Sequence, residues 1–133
     1  MDAVAVMQAL LSAHAPLVLL VGERIEAGTI SLDDGLPAIG LKEISRVEVG
    51  TVARSGRPLV TARVQVTVYA SSYPQQKALL AAAGLGQGVY TGTTAGVEVR
   101  SVLRDAVGPD MGDHDAGIYE QSRDFKVTYV EPQ

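Results

Sequence analysis

Between Gly108 and Gly117 the chain reads GPDMGDHDAG, which gathers Asp110, Asp113, His114 and Asp115 in one short stretch. Carboxylates beside an imidazole suit a divalent cation, and an Asp-His pair suits proton transfer. The spacing argues against a dedicated cation loop. Such a loop needs a helix on each side, a regular succession of oxygens and a closing bidentate Glu. Here the aspartates follow at intervals of three and two, between segments that alternate like strands. Gly, Pro and Asp are also the residues that turns recruit, because they tolerate unusual φ values and bond their own backbone. The segment is therefore expected to be a solvated hairpin tip with weak cation affinity at most.

The other chemical candidates fail on context. GLGQG (Gly84–Gly88) follows a helical pattern, whereas a dinucleotide fingerprint follows a strand and opens a helix. ARSGRP (Ala53–Pro58) sets a serine among arginines but joins two strand patterns, not the strand and helix of a nucleophile elbow. His14 and His114 lie far apart, without the spacing of a zinc site. Cysteine is absent, which removes disulfides, thiolate nucleophiles and thiolate metal sites. No enzyme activity, no metal and no cofactor are expected.

The elements around these stretches follow from composition and periodicity. A chain of 133 residues is expected to be one domain, 1–133, with a single core. Aromatics make up only 5%, so Val, Leu and Ala must fill that core. The net charge of −4 argues against nucleic-acid binding through a basic surface. Residues 3–13 and Ala13-His14-Ala15 imitate a secretion signal, but Asp2 replaces the basic start and Pro16 would follow the cut. The longest apolar run, Pro16–Val21, is far shorter than the ~20 residues of a membrane span.

Val4, Met7, Leu10, Leu11 and His14 form the stripe of an amphipathic helix that Pro16 stops or restarts. Leu17, Leu20 and Val21 suit one further turn closed by Gly22, and Arg24–Glu26 is compatible with a short strand. Ala38–Val49 is expected as a strand with Ile39, Leu41, Glu43 and Ser45 on one face. The clearest element is LVTARVQVTVYA, in which Val60, Ala62, Val64, Val66, Val68 and Ala70 face one way and Thr61, Arg63, Gln65, Thr67 and Tyr69 the other. That is a long strand with one buried and one wet face. Ser72, Pro74 and Gln75 open a capped helix that Gly84 ends. A strand is expected over Gly96–Arg104, with Val97, Val99 and Leu103 alternating against Glu98, Arg100 and Arg104, and a last one over Ile118–Val130, where Phe125, Val127 and Tyr129 alternate with Asp124, Lys126 and Thr128. The fold class expected is α+β: a four-stranded, mainly antiparallel sheet with two helices packed on one face, in the order α-β-β-α-β-β.

Several stretches, taken in series, resemble the small tail-completion proteins of long-tailed bacteriophages, prophages and gene transfer agents, a family that includes tail-terminator (tail-to-head joining) proteins. They are LVLLVGERI (Leu17–Ile25), GLPAIGLKEIS (Gly35–Ser45), LVTARVQVTVYASSYPQQKAL (Leu59–Leu79) and GIYEQSRDFKVTY (Gly117–Tyr129). The resemblance covers nearly the whole chain in the right order. It departs at the Gly-rich segment 84–96, where a longer helix is expected. What it implies is a structural protein of the virion tail, assembled in the bacterial host cytoplasm. Such proteins form a homo-oligomeric ring, often a hexamer, that terminates the tail tube and joins it to the head connector. The implied partners are other copies of the chain, the tail tube protein and a head-completion protein, with DNA passing through unbound and no membrane involved. A head-completion or adaptor role in the same connector is the alternative, and a small-ligand-binding α+β domain the more distant one. The expected interface residues are Arg54 and Arg57 in the 50–58 loop, Asp110, Asp113 and Asp115 in the acidic loop, and the polar strand face of Arg63, Gln65 and Tyr69.

Overall fold

A computed structural model describes residues 2–28, 35–49, 58–85, 90–113 and 115–131. Among these, α1 (Asp2–Ser12) and α2 (Ala15–Val21) precede the short β1 (Ile25–Ala27) and the long β2 (Ala38–Val49) and β3 (Leu59–Ala70). Then come α3 (Tyr73–Ala83), β4 (Gly92–Thr94), β5 (Val97–Val107), β6 (Met111–Asp113) and β7 (Ile118–Val130).

The strands form one sheet in the order β1-β2-β3-β7-β5-β4, with β6 also pairing with β7. The expected four-stranded sheet with two helices is thus corrected: the described residues form a mixed, seven-stranded sheet, curled into a half-barrel and carrying three helices. The four long strands are where the periodicity puts them. The additions to the four are three residues each: β1, which overlaps the short strand suggested at Arg24–Glu26, and β4 and β6, too short for any period to show. β1 also makes the sheet mixed, running parallel to β2 with Ile25 opposite Ile39.

β3 forms because its β-branched residues repeat every second position, and its burial alternates without a break along all twelve residues. It pairs antiparallel with β7 in unshifted register, from Leu59 opposite Val130 to Ala70 opposite Tyr119. Phe125, Val127 and Tyr129 consequently lie beside Val64, Ala62 and Val60, in the core. α1 covers the β1–β2–β3 side of this face and α3 the β3–β7 side. Ala3, Val4, Val6, Met7 and Leu11 of α1 and Leu79, Leu80 and Ala83 of α3 are buried against the strands.

Two expected faces are corrected by β-bulges. In β2 the register shifts between Glu43 and Ser45, so Ser45 moves to the open face beside Arg63. In β5 shifts fall between Val99 and Ser101 and between Arg104 and Val107. Val102 is therefore buried and Leu103 is 43% exposed, the reverse of simple alternation. On α2, Leu17 and Val21 are buried, whereas Leu20 is 42% exposed.

α3 is capped as its sequence predicts: the Ser72 hydroxyl accepts from the Gln75 amide, Pro74 sits in the first turn and Gly84 ends the helix. The Gln75 side chain reaches back to the Ser71 amide at 2.7 Å, one residue before the capping serine. No single described helix is long and apolar enough to cross a membrane; α1 and α2 pass on composition only as a pair, bent by 87°.

Phe125 is among the largest fully buried side chains. Phe125→Ala is expected to destabilise the protein by about 3–5 kcal/mol, read as a lower urea midpoint with an unchanged m-value.

Candidate functional site

The acidic stretch proves to be the end of a strand arm. After β5 the chain continues along β7: the Gly108 amide donates to the Ser122 carbonyl, and β6 then pairs Met111 with Glu120 and Asp113 with Ile118. At the tip, Asp113 Oδ1 accepts from the amides of Asp115 at 3.0 Å and Ala116 at 3.2 Å. This is an Asx-type turn, the use of aspartate that turns favour. Gly112 is required here. Its φ is +137°, and a Cβ would come within 2.2 Å of the Ile118 carbonyl oxygen.

The base of the arm is tied to α3. Tyr73 and Lys77, one helical turn apart, converge on Asp110: the Tyr73 hydroxyl donates to Oδ2 at 2.8 Å and Lys77 Nζ to Oδ1 at 2.5 Å. Lys77 Nζ also lies 5.0 Å from the Tyr73 ring centroid and donates to Gln121 Oε1 at 2.8 Å. Gln121 in turn donates to the Gly108 carbonyl, and the fully buried Gln76 donates to the Glu120 carbonyl at 2.7 Å. Hydrogen bonds from Lys77 and Tyr73 hold the Asp110 carboxyl below the ordinary aspartate range, and the bond to Asp110 raises Lys77 above the ordinary lysine value.

On the open face of the sheet, β3 presents polar side chains, with Val47 and Leu103 exposed to either side. Arg63 Nη2 lies 2.9 Å from Asp105 Oδ2, yet that oxygen accepts no aligned hydrogen bond, so the contact is an ion pair alone. Burial pushes the neighbouring Asp124 carboxyl up, with Arg63 opposing the shift. Gln65 stands opposite Asp124 and Tyr69 opposite Glu120. Burial, then Glu120, pushes the Tyr69 phenol up. Thr61 and Thr128 share a hydrogen bond of 2.9 Å across the strands.

Two open grooves flank the arm. One, of about 280 Å³, lies on the helix side between Tyr73, Gln76, Met111 and Tyr119. The other, of about 180 Å³, lies on the open face between Lys42, Gln65, Tyr69 and Glu120. Among the described residues no three of His, Asp or Glu gather closely enough to hold a metal ion.

The expected interface residues are thus dispersed. Arg63, Gln65 and Tyr69 share the open face, all half-buried. Asp110 is engaged by α3, Asp113 bonds its own turn, and Asp115 is exposed at the tip. Arg54, Arg57 and His114 lie outside the described residues. The residues that position the arm, Tyr73, Gln76, Lys77 and Gln121, had one legible signal, the i, i+4 spacing of Tyr73 and Lys77. Nothing local linked them to Asp110, which is 33 positions from Lys77.

Asp110 titrates lower in the folded chain than its ordinary 3.8, so its contribution is full above that value and is lost as pH falls through and below it. Asp110→Asn is therefore expected to reduce the loss of stability on acidification, read from urea midpoints at pH 7 and pH ~3. The pair is well exposed, so the change is expected to be small.

No protein-family model matches the chain, and no curated protein matches its sequence. By structure, the chain is similar to a chain from the virion of a native gene transfer agent particle. The TM-score is 0.75 at 13% identity, over 96% of this chain and 94% of that one. At that identity the likeness is one of fold, and it runs end to end.

Proposed function

We propose that the chain is a structural subunit of a phage-like particle: a tail-completion protein that forms a ring at the head-proximal end of the tail. There it terminates the tail tube and joins it to the head connector. The observation that carries this reading is the end-to-end fold likeness to a chain of a gene transfer agent virion, together with the ordered series of stretches that resemble tail-completion proteins. The grooves beside the arm agree with it. Both are open and smaller than the ~300–1,000 Å³ of an ordinary ligand pocket, which suits contact surfaces better than a substrate site. The half-buried polar row of Arg63, Gln65 and Tyr69 is one proposed contact, and the projecting acidic tip is another.

The proposed partners are other copies of the chain in a closed ring, a hexamer in the family's usual form, with the tail tube protein on one side and the head-completion protein on the other. The acidic net charge suits a conduit through which DNA slides without being held. The location is the virion tail, assembled in the host cytoplasm.

Negative-stain microscopy of the concentrated protein, alone and mixed with its tail tube protein, tests the reading. Rings with a central hole, free or seated on tube ends, are expected. Absence of rings in both samples would overturn it, and rings that bind head-connector protein while ignoring tube ends would move the chain to the adaptor role.

A further inference from the structure

Two arginines from neighbouring strands meet at the C-terminal end of α3. A Cβ on Gly84 would lie 2.7 Å from Arg123 Nη1 and 3.7 Å from Arg104 Nη1, so both guanidinium groups crowd one point. Among the described residues no carboxylate forms an ion pair with either. Arg123 Nε is buried without a hydrogen-bond partner, and burial and the Arg104 charge both depress Arg123. The helix end explains part of this. Its free carbonyls carry about half a negative charge, against two positive ones, which leaves most of the charge uncompensated. Two like charges held together, Arg123 half-buried and Arg104 exposed above it, call for an anion.

The exposed carboxylates suited to the role sit at the other end of the same helix. The tip with Asp113 and Asp115 hangs from Tyr73 and Lys77 in the first turns of α3, through Asp110. α3 spans Tyr73–Ala83, about 16 Å at ~1.5 Å per residue. The acidic tip and the arginine pair therefore face opposite ends of one helix and cannot meet within one copy.

We infer that the Arg104–Arg123 pair is a carboxylate-receiving site for the acidic tip of a second copy, so that neighbours associate head to tail. Asp115, exposed and outside any ion pair shown, is the principal ligand, with the free Oδ2 of Asp113 beside it. The contact names a surface for the self-assembly proposed above and rests on that reading only in needing a second copy.

The chain has no cysteine, so introduced thiols report without background. Ala116→Cys marks the tip and Ala81→Cys the last turn of α3; both positions are exposed, and both variants keep the four charged residues. After mixing and brief oxidation, disulfide-linked heterodimer is expected to exceed either homodimer. Arg104→Glu in the Ala81→Cys protein is expected to lower the heterodimer yield by about two- to fivefold, the span an exposed ion pair commands. Salt at ~0.5 M is expected to act in the same direction. Adding Asp115→Lys to the Ala116→Cys protein should restore the yield lost to Arg104→Glu, which misfolding would not do. Heterodimer no more abundant than the homodimers, or a yield indifferent to Arg104→Glu, overturns the inference. Rings by microscopy alongside that negative result would leave the tail-ring reading standing, whereas heterodimer without rings would sink the ring and keep the contact.

Discussion

The structure depends on the pairing of β3 with β7. Both strands keep their register over the whole contact, and neither bulges against the other. One unbroken alternation therefore assigns every side chain on the two strands to a face, and a slip of one residue would turn Val64 and Phe125 out into water. All the irregularity is displaced to the flanks: β2 shifts register once and β5 twice. Extra residues on outer strands bend them and raise the local twist, which is how a sheet with a regular centre comes to curl. The helices then cover the face on which the apolar residues of β3 and β7 lie.

The long elements were legible in the sequence because each carries its own period. β3, the Phe125–Val127–Tyr129 row of β7 and the cap of α3 all follow from residues within a turn or a strand of one another. What was not legible is whatever needs a partner distant in sequence. The bulges in β2 and β5 exchange Ser45 and Leu103 between faces, and no local composition marks them. β4 and β6 exist because a neighbouring strand offers backbone groups to three residues at a time, while β1 (Ile25–Ala27) falls within one residue of the short strand that Arg24–Glu26 suggested. The site shows the same division. The Asp113 turn was readable from Gly and Asp, while the capture of Asp110 by Lys77 depends on how the pairing with β7 brings the residue before β6 to the first turns of α3.

α3 links the core to the candidate surface. Its apolar residues Leu79, Leu80 and Ala83 anchor it on β3 and β7, and its polar residues act at its ends. Near the N-terminus, Tyr73, Gln76 and Lys77 bind the arm through a carboxylate, a backbone carbonyl and a side-chain amide. Fixing Asp110 and Gln121 in this way holds the start of β6 against β7, and hence sets the position of the turn that follows. At the C-terminus the helix has no basic residue in its own last turn, and the positive charges come from β5 and β7 instead. Both ends of one helix thus present charge of opposite sign.

The outer strand β2 shows how an edge is kept from open-ended pairing. Beyond Leu41 its outer side is no longer covered by β1, and Ile44 and Val47 are 50% and 61% exposed. An edge of that kind invites open-ended sheet growth, and natural proteins blunt it with bulges and charges. β2 carries both: the shift after Glu43, and Lys42, Glu43, Arg46 and Glu48 along the exposed part, with Glu43 and Arg46 paired to each other. Backbone pairing at this edge is thereby discouraged, so the association proposed above is left to side-chain contacts. Side-chain contacts between two different patches fix one rotation between neighbours, and only a fixed rotation closes an assembly at a defined size.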